Sequence, residues 1–232
     1  MPMLRPTVFF DFGGTLVRTW VSEGGHPADF WQRIARSSGI ELDPARVREA
    51  LEETDRELAG QLYDYLGRTP EFWKIYDGRV MDRLEIRERR DELSDAVDRS
   101  FREMSRGELY PEVTEVLGEL RTRGYTLGLI SNHNDALLEI LDFHGIRPYF
   151  ATVTYSQEAG AEKPDRRVFE LALRRAGCAP EDALYVGDSW NADHRGATGV
   201  GMRAVWLNRR GAPPPEPCQQ VRDLRELLRL VL

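Results

Sequence analysis

The chain has 232 residues, 41% of them hydrophobic, which suffices to bury a sizeable core as one large domain or two small ones. A formal net charge of -7 argues against nucleic acid as a partner, because binding a phosphate backbone needs clustered positive charge. No apolar stretch reaches the ~20 residues a bilayer requires, and no basic segment followed by an apolar one opens the chain; the expectation is a cytoplasmic protein with no membrane span or secretory signal.

The first element is Thr7-Val8-Phe9-Phe10, an aromatic and β-branched run that stops at Asp11 and is followed by Gly13-Gly14. This pattern reads as a buried strand delivering a carboxylate to a tight turn. From there to about Gly107 the rhythm is helical. Phe30, Trp31, Ile34 and Ala35 recur at helical spacing, and Asp43-Pro44 supplies an N-cap and first-turn proline for a longer helix with Val47, Leu51, Leu58, Leu62 and Tyr65 on one face. Thr69-Pro70 starts a third helix with Phe72, Trp73 and Tyr76, and Leu93, Val97, Phe101 and Met104 mark a fourth. Four helices and no strand predict a small bundle over residues 19–107.

From Tyr110 helices alternate with strands. A helix opened by Pro111 ends at Gly124, and the strand Tyr125–Ile130 runs into Ser131-Asn132. A helix to Gly145 precedes a strand over Ala151–Tyr155, and a helix from about Asp165 to Ala176 precedes the strand Ala183–Val186, which ends in Gly187-Asp188-Ser189. Met202 to Leu207 reads as a fifth strand, and Val221, Leu224, Leu228 and Val231 as a terminal helix. Such alternation specifies a parallel sheet covered on both faces. The fold class is therefore α/β, a Rossmann-like core formed by residues 1–18 and 108–232, with the helical unit 19–107 inserted after the first strand.

Parallel strands end on one edge of the sheet, where ligands of such sheets bind, so Asp11, Ser131 and Asp188 should meet there with Lys163 from a nearby loop. Two unpaired carboxylates at close range repel, and a hard divalent cation such as Mg2+ relieves them; Asp193 is within reach of the same place. A lysine, a serine hydroxyl and exposed amides at strand-to-helix turns complement a phosphate. Lysine occurs only at Lys74 and Lys163, all other basic residues being arginine, which singles out Lys163. Cys178 and Cys218 lack any Cys-x-x-Cys or zinc-like spacing and read as unpaired thiols.

Asp11-Phe12-Gly13-Gly14-Thr15, Ser131-Asn132, Lys163-Pro164 and Gly187-Asp188-Ser189-Trp190-Asn191-Ala192-Asp193 resemble, in order, the four motifs of the haloacid dehalogenase-like (HAD) superfamily. The resemblance covers the α/β core, and the helical insertion is similar to that family's cap, which would close over the site and choose the substrate. It implies Asp11 as nucleophile and metal ligand, with the Gly13 carbonyl and Asp188 as further Mg2+ ligands. Asp193 would support the metal's water shell or Lys163, and Thr15 would buttress the first loop. Ser131, the Asn132 amide and Lys163 would hold phosphoryl oxygens. The implied activity is that of a phosphatase on a small phosphorylated metabolite, working as a monomer or homodimer.

One position departs from the pattern. Phosphatases of this family usually carry an acid-base aspartate two residues after the nucleophile, and here that residue is Gly13. Such help is typically worth ~10²–10⁴-fold, so a good leaving group or a substitute acid is expected, with Glu23, His26 and His133 as candidates. Arg18, Trp20, His26 and Trp31 are candidate lining residues. Three other readings stay open: halide displacement, phosphonate cleavage through Lys74, and a phospholigand-binding module without efficient turnover.

Overall fold

The computed structural model describes residues 6–19, 25–62 and 70–231. In chain order the elements are β1 (Thr7–Phe10), β2 (Val17–Arg18), α1 (Pro27–Ser37), α2 (Pro44–Leu62), α3 (Pro70–Arg83), α4 (Arg90–Arg106) and β3 (Glu108–Leu109). There follow α5 (Val113–Thr122), β4 (Thr126–Ser131), α6 (Ala136–Phe143), β5 (Thr152–Tyr155), α7 (Ser156–Ala159) and α8 (Arg166–Ala176). The last are β6 (Ala183–Gly187), α9 (Gly196–Gly199), β7 (Arg203–Leu207), β8 (Gln220–Val221) and α10 (Leu224–Leu230). The chain divides into two compact units, Met1–Arg18 with Glu108–Leu232, and Thr19–Gly107.

The first unit is built on a six-stranded sheet in the order β5-β4-β1-β6-β7-β8, every pairing parallel. β1 lies between β4 and β6 and is buried on both sides, which explains why it reads as a continuous apolar run. Alternation then sorts its residues. Val8 and Phe10 join the cluster formed with α5, α6 and α10, whereas Phe9 joins the opposite cluster with Phe169 of α8 and Tyr185 of β6. The Phe9 ring lies where a side chain at Gly128 would stand, 2.5 Å from its missing Cβ, so β4 carries glycine there.

Two details correct the sequence reading. Residues 17–18 and 108–109 pair as an antiparallel ribbon, and Val221 belongs to a sixth strand beside β7 instead of the terminal helix. That helix begins later, where the Asp223 side chain caps it by accepting from the Arg225 amide at 2.8 Å.

Among the described residues of the second unit the regular elements are the helices α1 to α4. Phe30, Trp31 and Ile34 of α1, Val47 and Leu51 of α2, Val80 and Met81 of α3, and Leu93 and Val97 of α4 form one apolar core. Tyr65, Thr69, and the side chains of Leu62, Phe72, Phe101 and Met104, lie outside the described residues. No helix among the described residues is long and apolar enough to cross a membrane.

Candidate active site

Asp11 follows β1 directly, and its amide still donates to the Val186 carbonyl at 2.9 Å, so the carboxyl leaves the ladder at a fixed point. The chain then folds back at once. Leu16 and Val17 both donate to the Phe12 carbonyl, at 2.8 and 3.1 Å, and Gly14 turns the corner with φ of +81°. Glycine is needed here twice over, for that left-handed backbone and because a Cβ would stand 2.3 Å from Asp188 Oδ2.

Asp188 follows β6 and Asp193 lies in the π-helical turn Trp190–Arg195, and carboxylate oxygens of Asp11, Asp188 and Asp193 come within 4.8 Å of one another. Lys163 enters this group buried. Its ammonium donates to Asp11 Oδ1 at 2.5 Å, Asp193 Oδ1 at 2.7 Å, the Tyr185 hydroxyl at 2.9 Å and the Ile130 carbonyl at 3.1 Å. Both oxygens of Asp193 are engaged by protein donors, since the Tyr185 hydroxyl also reaches Oδ1 at 2.8 Å and the Ser189 amide reaches Oδ2 at 2.8 Å. Asp11 Oδ2 and the Asp188 carboxyl, by contrast, take no side-chain donor among the described residues.

Charge is out of balance. Three carboxylates face one ammonium, and burial together with the neighbouring acids Asp193 and Asp188 pushes Asp11 above the usual carboxylate range against the pull of Lys163. Asp188 is raised likewise, by burial first and Asp193 second. For Lys163, burial alone would lower the ammonium, but Asp11 and Asp193 outweigh it and hold it above its ordinary value. Burial carries the Tyr185 phenol well above its usual range, so it stays protonated and donates. A cluster of hard oxygen donors short of positive charge fits a divalent cation such as Mg2+, which prefers one or two carboxylates plus water and phosphate oxygens.

The remaining candidates divide. Ser131 ends β4 and is buried beside this edge of the sheet. Asn132 uses its side chain to hold the lysine's own backbone, accepting from the Lys163 amide at 2.7 Å and donating to its carbonyl at 3.1 Å. Thr15 is fully buried, and its hydroxyl finds no hydrogen-bond partner among the described residues; it engages the turn through its backbone amide, donating to Phe12 at 3.3 Å. His133 lies two residues after β4. Its Nδ1 accepts from the adjacent Asn134 amide and its ring meets the Phe12 ring edge-on, centroids 6.3 Å apart. His26 caps α1 through Nδ1, which accepts from Ala28 at 3.1 Å, and Lys74 is exposed on α3. Trp31 is a correction, because it packs in the helical core, 3% exposed, and so does not line a cleft. Trp20 and Glu23 lie outside the described residues.

Tyr185 and Trp206 are the residues that sequence reasoning missed. Trp206 Nε1 donates to the Asp188 carbonyl at 2.8 Å and so fixes the backbone under that carboxylate. A signal for Tyr185 existed: a phenol inside a fully buried strand must find a partner for its hydroxyl.

Sheet, strand-end carboxylates and helical insertion together define an α/β enzyme with its site at the carboxyl edge of a parallel sheet. Residues 6–201 match the family described as haloacid dehalogenase-like hydrolase, and the chain belongs to that family. A phosphoserine phosphatase of Thermus thermophilus is 44% identical over 144 residues, covering 60% of this chain and 57% of that protein. A glyceraldehyde 3-phosphate phosphatase of Methanothermobacter thermautotrophicus is 45% identical over 100 residues, 43% of this chain and 44% of the relative. The match therefore spans about half the length of these curated relatives. Among solved structures, a HAD phosphatase from Thermococcus onnurineus aligns over 97% of both chains with a TM-score of 0.68 and 28% identity. A 2-haloacid dehalogenase from Pseudomonas syringae aligns over 98% of both, with a TM-score of 0.72 and 26% identity.

Proposed function

We propose that this hydrolase is a Mg2+-dependent phosphatase of a small phosphorylated metabolite, working through an aspartyl-phosphate on Asp11. The observation that carries the reading is the unequal use of the three carboxylates. Asp193 takes donors from Lys163, Tyr185 and Ser189, whereas Asp11 Oδ2 and the Asp188 carboxyl take no side-chain donor among the described residues and keep oxygens for a cation and a substrate. Asp11, Asp188 and the Gly13 carbonyl would hold Mg2+, which when bound supplies positive charge against the phosphoryl oxygens and favours the ionised form of both acids. Lys163, fixed by four acceptors, offers its charge beside Asp11, and Ser131 with the Asn132 amide completes the phosphoryl cradle. Halide displacement has no use for this surplus of acidic groups. The phosphatases similar to this chain support the reading.

Because Gly13 brings no acid to the leaving group, turnover should depend steeply on how well that group departs unaided. Expected is hydrolysis of p-nitrophenyl phosphate that EDTA abolishes, that Asp11→Asn lowers by ~10⁴-fold or more, and that falls by ~10²-fold or more on passing to an alkyl phosphate. Phosphate binding without turnover, or halide release from 2-chloropropionate in EDTA, would overturn the proposal.

A further inference from the structure

Two residues beyond the end of β7, Arg209 makes three different kinds of contact with one guanidinium. Its Nη2 donates to the Thr15 carbonyl at 2.9 Å and its Nε to the Gly14 carbonyl at 3.3 Å, so one edge of the fork spans two consecutive peptide groups of the turn after Asp11. The guanidinium carbon lies over the Tyr110 ring, 3.5 Å from the centroid. Its charge is answered by Glu112, 2% exposed, whose Oε1 sits 2.8 Å from Nη2 as an ion pair outside hydrogen-bond alignment. Tyr110 is itself tied to the same turn, donating its amide to the Leu16 carbonyl at 3.0 Å.

These contacts gather the loop after β7, the segment 110–112 and the turn 12–17. We infer that Arg209 is a positioning residue: by gripping the Gly14 and Thr15 carbonyls it sets the turn that presents Asp11 to Asp188. Glycine at position 14 gives that turn no side chain there and Asp188 fills the space so created, so Arg209 adds a side-chain clamp to the turn's own backbone bonds onto the Phe12 carbonyl. Lysine cannot replace the arginine, since a point charge neither spans two carbonyls nor stacks on a ring. The effect on catalysis rests on the phosphatase reading above; the effect on the turn does not.

Two measurements separate them. In Arg209→Ala and Arg209→Lys, hydrogen exchange at the Leu16 and Val17 amides should accelerate by about tenfold or more while the amides of β1, β4 and β6 keep wild-type protection. With p-nitrophenyl phosphate, kcat should fall ~100-fold in Arg209→Ala with KM nearly unchanged, and millimolar guanidinium should restore part of it in the alanine variant only. Unchanged exchange at Leu16 and Val17, or loss of protection spread evenly over the sheet, would overturn the assignment even if the wild-type protein proved inactive; selective loss in an inactive protein would sustain it and sink the phosphatase reading.

Discussion

The two units handle charge in opposite ways. The α/β unit buries Asp11, Lys163 and Asp193 and satisfies them through one another, Tyr185 and backbone groups. The helical unit keeps its arginines and carboxylates at the surface, as in Arg83 with Glu53 and Glu57, Arg90 with Asp82, and Arg36 with Glu41. Among its described residues the only buried carboxylate is Asp77, held by a single hydroxyl, Ser94 Oγ at 3.0 Å. Burial, with the Asp98 charge adding, pushes Asp77 up to about 7, so near neutrality about half of it is protonated. Burial raises Asp11 and Asp77 alike, each to about 7; the difference is that Asp11 lies against an ammonium, itself held above its ordinary value, whereas Asp77 has one neutral hydroxyl.

Removing the ammonium from the first unit is the harshest test of this contrast. Lys163→Met leaves Asp11 and Asp193 buried without their shared cation, and the expectation is a loss of ~10³-fold in kcat together with about 3–5 kcal/mol of stability. Calorimetry with phosphatase assays reads both, and an unaltered melting temperature would show that the cluster does not depend on its cation.

Asp77→Asn probes the other unit and should stabilise. An acid whose native pKa exceeds its unfolded value penalises folding increasingly as pH rises from about 4 through about 7, and the amide escapes that penalty. The variant should therefore match wild type near pH 4 and gain up to ~4 kcal/mol at pH 8, at ~1.4 kcal/mol for each pH unit between the two values. Melting curves that stay parallel across this range would remove the contrast. Smallest is Arg83→Ala, which breaks surface pairs with Glu53 and Glu57 and should cost under ~1 kcal/mol, less still in 1 M salt. A loss that salt leaves intact would mean that the arginine stem, not its charge, matters.

The placement of Asp11, Lys163, Asp188 and Asp193 was legible because parallel strands share an edge and each acid directly follows an apolar run or lies within one turn of it. What stayed hidden depends on which way a side chain faces or on segments too short for periodicity. Tyr185 reads as one more apolar strand residue until alternation puts it beneath Lys163, and Trp31 looks the same in a pattern whether it lines a cleft or fills a core. β2, β3 and β8 have two residues each, below any detectable repeat. Arg209 carried no local signal, since its meaning arises from carbonyls 194 and 195 positions away.

The short ribbon of β2 and β3 has a consequence for engineering. Arg18 pairs with Glu108, so the chain departs for its long excursion and comes home at adjacent positions on antiparallel tracks. Such a junction accepts any payload whose two ends lie side by side, down to a two-residue hairpin turn. On this geometry one attachment can be exchanged for another while the parallel sheet and its carboxylates, Asp11 included, stay where they are.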